Sequence, residues 1–125
     1  QAEGVSTIHE TVFENRFGYV EELRKLGAHI EFFQPDVKNP KEIYQFGISS
    51  EEELTNLMQA IRITGPTKLH NGALAATDIR AGASLVIAAC VAEGESVILG
   101  ASHIDRGYEK IEVQLAALGA DIKRV

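Results

Sequence analysis

At 125 residues the chain has room for one domain and not for two of ordinary size, and its 45% hydrophobic and 24% charged composition is typical of a soluble globular protein. A net charge of −6 disfavours binding to nucleic acid or to an anionic membrane surface. The single cysteine, Cys90, excludes an internal disulfide and a cysteine-based metal cluster and fits a reducing compartment, so we expect a cytoplasmic protein.

The first 33 residues predict a strand, a helix and a returning strand. The apolar-rich stretch Ser6–Val12 predicts the first strand. Three apolar residues then recur at helical spacing and share one face: Val20, Leu23 and Leu26. Gly27 stands where a helix usually ends in a left-handed residue, and the segment 28–33 is predicted to return as a strand.

Residues 34–60 interrupt this pattern. Pro35 and Pro40 break regular structure, and the run Ser50–Glu53 matches the capping box that opens a helix, here a short one through Met58. The segment also holds much of the acidic excess of the chain. We interpret it as an insertion-like, solvated surface segment.

The segment 61–125 is predicted to form a full repeat, beginning with a strand at Ile61–Thr64 and a Gly-Pro turn. Thr77 is a candidate cap for a helix over 78–93. From Ala81 to Ala92 this helix carries no charge on any side, and a helix that is apolar all round must be buried all round. The run is also shorter than the roughly 20 apolar residues that span a membrane. The pattern favours helices packed inside and sheets outside, the reverse of a common α/β barrel.

A strand, a helix and another strand are predicted to end the chain. Glu95–Gly100 is a short β-branched run that predicts a strand, and Asp105 is a candidate N-cap for the next helix. Apolar residues at helical spacing follow, namely Tyr108, Ile111, Leu115 and Leu118. Gly119 ends this helix, and the segment 120–125 is predicted to return as a strand.

The two ends of the chain resemble each other. Three elements recur in the same order: Ala-Glu-Gly from residues 2 and 92, an arginine at 16 and 106, and Leu-Gly-Ala from residues 26 and 118. This nearly constant offset of 90 to 92 residues indicates two copies of one βαβ-type unit and predicts an α/β or α+β fold. The buried helix precedes only the second copy, so residues 1–33 form a partial repeat, and we expect the chain to be truncated at its N-terminus.

The residues best suited to carry chemistry are arginines. Residues 1–60 carry 11 acidic and 5 basic side chains and residues 61–125 carry 7 of each, so an anionic ligand must be held by a few placed guanidinium groups. Arg80 lies near the start of the buried helix, and its sequence position fits two alternatives. Its guanidinium could form a buried ion pair with Asp78, or it could serve as a forked donor for phosphate or carboxylate. Both alternatives fit the sequence equally.

Arg106 and its counterpart Arg16 are predicted at helix starts, where the macrodipole disfavours a cation. Either a neighbouring carboxylate, in an Arg–carboxylate clamp, or an anionic ligand must offset this. The four histidines lack metal-ligand spacing, and His103 is the one that we consider near a site. Cys90 is interpreted as structural, because a nucleophilic cysteine needs an exposed, electropositive setting.

Five ordered motifs then make a family resemblance specific: Glu10–Phe17, Thr77–Leu85, Ala92–Gly94, His103–Glu109 and Leu118–Ile122. With these motifs the chain resembles the C-terminal part of the UDP-N-acetylglucosamine 1-carboxyvinyltransferase family of enolpyruvyl transferases. The resemblance covers nearly all of the chain outside residues 34–60, and a string of ordered motifs is more specific than any one of them.

The resemblance implies an inside-out α/β barrel of repeated units, incomplete here, with the helices buried and the sheets outside. It implies transfer of the enolpyruvyl group of phosphoenolpyruvate to the 3-hydroxyl of UDP-N-acetylglucosamine, a step in peptidoglycan precursor synthesis for the cell wall. The family mechanism is addition and elimination through a tetrahedral intermediate, and it needs no metal or organic cofactor. Cationic groups that stabilise phosphate and carboxylate suit this chemistry.

By matched motif, Arg80 and Arg106 are implied to bind phosphoenolpyruvate, with Asp78 orienting them and Arg16 as a supporting cation. Val12 is implied to contact the UDP-sugar through its backbone. The family's reactive cysteine, its N-terminal lysine and its aspartate base are expected upstream of this sequence. The resemblance therefore implies no catalytic residue in this chain, a need for the remainder of the enzyme chain, and no activity of the 125 residues alone.

Two other functions stay open. A free-standing repeat domain could bind an anionic nucleotide or a partner without catalysis, although such a module should not begin in the middle of its own unit. The related enolpyruvyl transferase that acts on shikimate phosphate shares the implied fold, and the pairing of the motifs Phe13–Phe17 and His103–Tyr108 argues against it.

Overall fold

The computed structural model describes residues 1–48, 50–57 and 59–125. In chain order its elements are β1 (Gly4–His9), α1 (Tyr19–Lys25), β2 (His29–Phe33), α2 (Pro40–Ile43), α3 (Glu51–Thr55), β3 (Ala60–Gly65), β4 (Ala73–Ala75), α4 (Ile79–Val91), β5 (Val97–Leu99), α5 (Ala101–Asp105) and α6 (Ile111–Ala117). They form two compact units, one of residues 1–17 and 29–67 and the other of residues 18–28 and 68–125. The mixed α/β fold class is confirmed.

The first unit is built on an antiparallel sheet of order β1-β3-β2. The central strand pairs with both neighbours, and its residue Ile61, opposite Ile8 and Phe32, is fully buried. The strands predicted at 28–33 and 61–64 are confirmed to within one residue at each end. Their β-branched and aromatic residues suit a pleated surface that is covered on one side.

The segment 34–60 packs into this unit. Pro40, Tyr44 and Leu54 are buried, and Tyr44 Oη lies 2.9 Å from Nε2 of His9. Burial raises the pKa of Tyr44. The expectation of a solvated surface segment is wrong for these residues, because apolar side chains spaced between the charged ones can leave water while the charges stay exposed.

The helix start predicted at Ser50 is confirmed, with Ser50 as the N-cap residue. Ser50 Oγ accepts a hydrogen bond from the backbone N–H of Glu53 at 3.3 Å, and α3 follows directly. The helix ends at Thr55, and the predicted last position, Met58, lies outside the described residues. The short helix α2 was not predicted, although the proline at its first position is favourable there.

The second unit is centred on α4, which connects the parallel strands β4 and β5. Its fully buried leucines come from the end of α1, from β4 and from α4: Leu26, Leu74 and Leu85. The Glu22 carboxylate ties α1 to β4 by accepting a hydrogen bond from the N–H of Ala75 at 2.9 Å. Hydrogen bonds from Lys25 and from this backbone amide lower the pKa of Glu22.

The helix α4 is buried on one face only, so the prediction of burial all round is wrong. Its buried residues are Ala81, Gly82, Leu85 and Val86. On the opposite face Ile87 is 55% exposed and Val91 is 52% exposed, and Cys90 is exposed as well. An all-apolar helix is covered only where it has partners, and within the described chain α1 and α5 contact one side of it.

The end of the chain departs from the predicted strand–helix–strand pattern. Asp105 does not cap a helix, because it is the last residue of α5, which follows the left-handed Gly100 (φ 81°). The predicted end of the next helix is confirmed by the left-handed Gly119 (φ 98°). The segment 120–125 is not a strand, since strands need hydrogen-bonded neighbours and none pairs with it among the described residues.

In the ranges that the structure describes, no helix has the length and apolar character to cross a membrane. Nor do three or more histidine, cysteine, aspartate or glutamate side chains of those ranges come together as possible metal ligands.

Candidate functional site

The start of α4 is capped by the side chain of Asp78. Its Oδ1 accepts hydrogen bonds from the backbone N–H groups of Arg80 at 2.9 Å and Ala81 at 3.0 Å. Asp78 thereby takes the role that was predicted for Thr77, because its carboxylate satisfies two free donors of the first turn and its charge suits the positive end of the helix dipole. An anion bound here would find those two donors occupied.

The Arg80 side chain lies partly in solvent. It is 52% exposed, and its Nε lies 3.9 Å from Oδ1 of Asp78, which is beyond hydrogen-bond distance. The predicted alternative of a buried ion pair is therefore wrong. Within the described part of the chain the guanidinium makes no hydrogen bond, so its planar set of donors is available to a ligand.

Arg106 was predicted at the start of a helix. In the structure it lies instead at the end of α5. A cation is favoured at this end of a helix, so no anion is needed to offset it. The next residue, Gly107, packs against Ile79, and a Cβ at position 107 would collide with that side chain. Because Ile79 is the first residue of α4, the contact brings the turn that carries Arg106 to the segment that holds Asp78 and Arg80.

Arg124 holds the end of α5. Its Nη1 and Nη2 donate to the two carboxylate oxygens of Asp105 at 2.9 and 2.6 Å, and Nη2 also donates to Oε2 of Glu112 at 3.2 Å. Hydrogen bonding by Arg124 lowers the pKa of Asp105, and hydrogen bonds to both carboxylates raise the pKa of Arg124. Sequence analysis missed Arg124, since its partners lie 19 and 12 residues away and no local pattern connects them.

The other two predicted site residues, Val12 and Arg16, lie in the first unit, in the turns after β1. The strand ends at His9, three residues before its predicted end, because Oε1 of Glu10 accepts the N–H groups of Val12 at 2.8 Å and Phe13 at 3.1 Å. With its N–H engaged, Val12 has its carbonyl oxygen left for a backbone contact. The Arg16 guanidinium lies 4.3 Å from the centre of the Phe13 ring, a cation–π contact.

Comparison with known proteins identifies the family of this chain. The family model described as EPSP synthase (3-phosphoshikimate 1-carboxyvinyltransferase) matches residues 1–115. The chain belongs to the EPSP synthase family. The family-level resemblance inferred from the ordered motifs is thereby confirmed.

Within the EPSP synthase family, the chain is similar to enzymes named UDP-N-acetylglucosamine 1-carboxyvinyltransferase. It is 46% identical over 124 residues to the one from Shigella boydii serotype 18 and 45% identical to the one from Escherichia coli strain HS. Each match covers 99% of this chain and 24% of the relative. The chain therefore spans about a quarter of the length of these relatives.

A solved enolpyruvyl transferase shares the fold of this EPSP synthase family member. The crystal structure of the enolpyruvyl transferase NikO from Streptomyces tendae is similar with a TM-score of 0.72 and 32% sequence identity. The match covers 99% of this chain and 23% of that chain. Sequence and structure thus support the same family.

Replacing Asp78 by alanine is expected to lower the free energy of unfolding by about 1 kcal/mol, the usual cost of losing an N-cap side chain. The reason is the loss of the oxygen that accepts the N–H groups of Arg80 and Ala81. Asp78→Asn keeps a capping oxygen and is the matched control, with a smaller expected loss. Urea denaturation followed by circular dichroism measures both, and equal losses would contradict the capping role of this oxygen.

Proposed function

We propose that the chain is part of an enolpyruvyl transferase that moves the enolpyruvyl group of phosphoenolpyruvate to the 3-hydroxyl of UDP-N-acetylglucosamine, in peptidoglycan precursor synthesis. The observation that carries the proposal is the 46% identity, over 99% of this chain, to an enzyme named for that UDP-sugar. Because the chain spans 24% of that relative, we propose that these residues supply part of the site and do not complete the transfer alone.

Arg80 and Arg106 are proposed to bind phosphoenolpyruvate. Guanidinium groups bind phosphate and carboxylate through paired, charge-assisted hydrogen bonds. Both side chains are exposed, and the contact between Gly107 and Ile79 brings their backbone segments together. Release of phosphate builds negative charge, which fixed cations stabilise.

The remaining site residues are proposed in supporting roles. Asp78 would orient Arg80, since its carboxylate accepts the Arg80 N–H and lies 3.9 Å from its Nε. Arg16 would be a supporting cation. Val12 would contact the UDP-sugar through its carbonyl oxygen, because Glu10 engages its N–H. No metal or organic cofactor is part of this proposal.

The domain organisation, the complete fold and the compartment are proposed on the basis of the same 46% identity. Residues 1–33 would form a partial repeat, residues 34–60 an insertion-like segment and residues 61–125 a full repeat of an inside-out barrel in a cytoplasmic enzyme. The remainder of the enzyme chain would then cover the helices. The exposed apolar face of α4 supports this, since Ile87 and Val91 are large apolar side chains that lie more than half exposed.

Titration calorimetry of the chain with phosphoenolpyruvate, then with UDP-N-acetylglucosamine, tests the proposal. We expect weak phosphoenolpyruvate binding that Arg80→Ala and Arg106→Ala each weaken about tenfold or more, because each removes charge-assisted hydrogen bonds worth about 1.5–3 kcal/mol. Lys68→Ala is the control, since it removes one positive charge from an exposed pair with Glu93 in the same unit.

Three other outcomes of the titration would contradict parts of the proposal. If Lys68→Ala weakened phosphoenolpyruvate binding equally, the effect would come from net charge alone. That result would contradict the roles of the two arginines. Shikimate 3-phosphate is the competing acceptor, because the matching family model carries the name of that enzyme. Preference for it over the UDP-sugar would overturn the proposed acceptor. Binding of many anions without preference would favour a non-catalytic anion-binding repeat domain.

A further inference from the structure

The turn that carries Arg106 is packed against α4 on both sides of this residue. Before it, Ile104 is 3% exposed and lies over Gly82, where a Cβ would come within 2.5 Å of Ile104 Cγ1. After it, Gly107 lies against Ile79. These contacts are apolar, and they set how close the turn lies to the helix.

Asp105, the residue directly before Arg106, is held by polar contacts. The fork of Arg124 meets both of its carboxylate oxygens, at 2.9 and 2.6 Å. Two parallel bonds between planar groups fix orientation as well as distance. Arg124 also reaches Glu112 on α6 at 3.2 Å, so one side chain joins the end of α5 to the following helix.

Stability alone is a poor explanation for this arrangement. The Arg124 and Asp105 side chains are 44% and 40% exposed, and pairs exposed to this extent usually add little to the free energy of unfolding, because solvent screens them. A forked pair with a second carboxylate differs from an ordinary surface pair in its defined geometry. Its main effect is therefore expected on the position of the turn.

We infer that Arg124 is a positioning residue for Arg106: its forked bond to Asp105 fixes the turn that presents the Arg106 guanidinium to an anionic ligand. The identity of the ligand rests on the proposed function, whereas the positioning rests on the geometry of the turn. Lysine cannot replace Arg124 in this role, since a single ammonium group cannot make two parallel bonds to one carboxylate.

The first test uses the chain without ligand. Backbone ¹⁵N relaxation measures order in residues 104–107 of the unchanged chain and of Arg124→Lys, which keeps the charge and removes the fork. We expect lower order parameters at Asp105 and Arg106 in this variant. Lys123→Ala is the matched control, because Lys123 is an exposed neighbouring cation that makes no ion pair within the described ranges. Unchanged order in Arg124→Lys would overturn the inference, whatever the chain binds.

The second test connects the positioning to Arg106. In amide chemical-shift titrations with phosphoenolpyruvate, Arg124→Lys is expected to raise the dissociation constant about threefold to tenfold, a typical effect of a residue that acts through another. In the Arg106→Ala background the same substitution should add nothing. An additive loss there would mean general disruption and overturn the inference.

Asp105→Asn is the second variant, because it weakens the same bond from the other partner. It should reproduce the loss of order and the weaker binding of Arg124→Lys, and normal order in this variant would contradict the inference. The two tests also separate the two proposals. If the unchanged chain fails to bind phosphoenolpyruvate while order falls in both variants, the proposed binding of phosphoenolpyruvate by Arg80 and Arg106 in this chain fails and the positioning of the turn stands.

Discussion

Leu85→Ala is expected to lower the free energy of unfolding of the second unit by about 3 kcal/mol, within the range measured for buried leucines. Leu85 is fully buried and packs with Leu26 and Leu74. The loss has two parts, namely the transfer free energy of the removed isopropyl group and the cavity that it leaves between α4, β4 and the end of α1. Urea denaturation followed by circular dichroism, with hydrogen exchange of the α4 amides, measures it.

Ile87→Ala is the matched control on the same helix. Ile87 is 55% exposed, so its truncation should change the free energy of unfolding by less than about 0.5 kcal/mol. A loss as large as that of Leu85→Ala would contradict the one-sided burial of α4.

The second large effect is expected from a much smaller change, Gly82→Ala. Alanine is the better helix former by about 1 kcal/mol, so propensity alone predicts stabilisation. The structure predicts the opposite sign, because the new Cβ would lie 2.5 Å from Cγ1 of Ile104 and 3.3 Å from Cβ of Ala76. Ile104 is buried and cannot move aside freely, so we expect a net loss of about 1–3 kcal/mol in urea denaturation.

Two controls make the sign of this effect informative. Gly18→Ala adds the same methyl group at the N-cap of α1, where no atom beyond the chain neighbours lies within 4 Å and φ is −56°, and it should cost no more than about 0.5 kcal/mol, the preference for glycine over alanine at an N-cap. In an Ile104→Ala background the clash is absent, so Gly82→Ala should there become neutral or stabilising. Destabilisation that persists in that background would show that overpacking against Ile104 is not the cause.

Features with short-range causes were predictable from the sequence. Gly27 and Gly119 end their helices with φ of 92° and 98°, values that glycine adopts without strain. Ser50 caps α3 because the donor that it needs lies three residues ahead. In each case the residue and its physical partner fall inside one turn of the chain.

Features with distant causes were not predictable. Ala73–Ala75 has little intrinsic strand preference and is a strand because β5 pairs with it. Asp105 is of a residue type that often caps helices. The helix starts earlier, however, after the left-handed Gly100, and Arg124 binds the Asp105 carboxylate. The exposed half of α4 also follows from which elements surround the helix and not from its own sequence.

The candidate site shows the same division. The closeness of Asp78 and Arg80 follows from their spacing of two residues at a helix start. The approach of Arg106 to that start depends on the contact of Gly107 with Ile79, which no local pattern encodes. Sequence reasoning connected these residues only through the family resemblance, and it missed Arg124 because no motif included it.

The strand order of the first unit has a consequence for how the chain folds. The middle strand of the sheet is the last of the three along the chain, so Gly4 pairs with Gly65 and His29 pairs with Thr64, while β1 and β2 do not pair with each other. During synthesis both outer strands leave the ribosome before their shared partner exists. Long loops must close before either strand gains hydrogen bonds, which slows folding. The arrival of β3 therefore sets the moment at which the whole sheet forms.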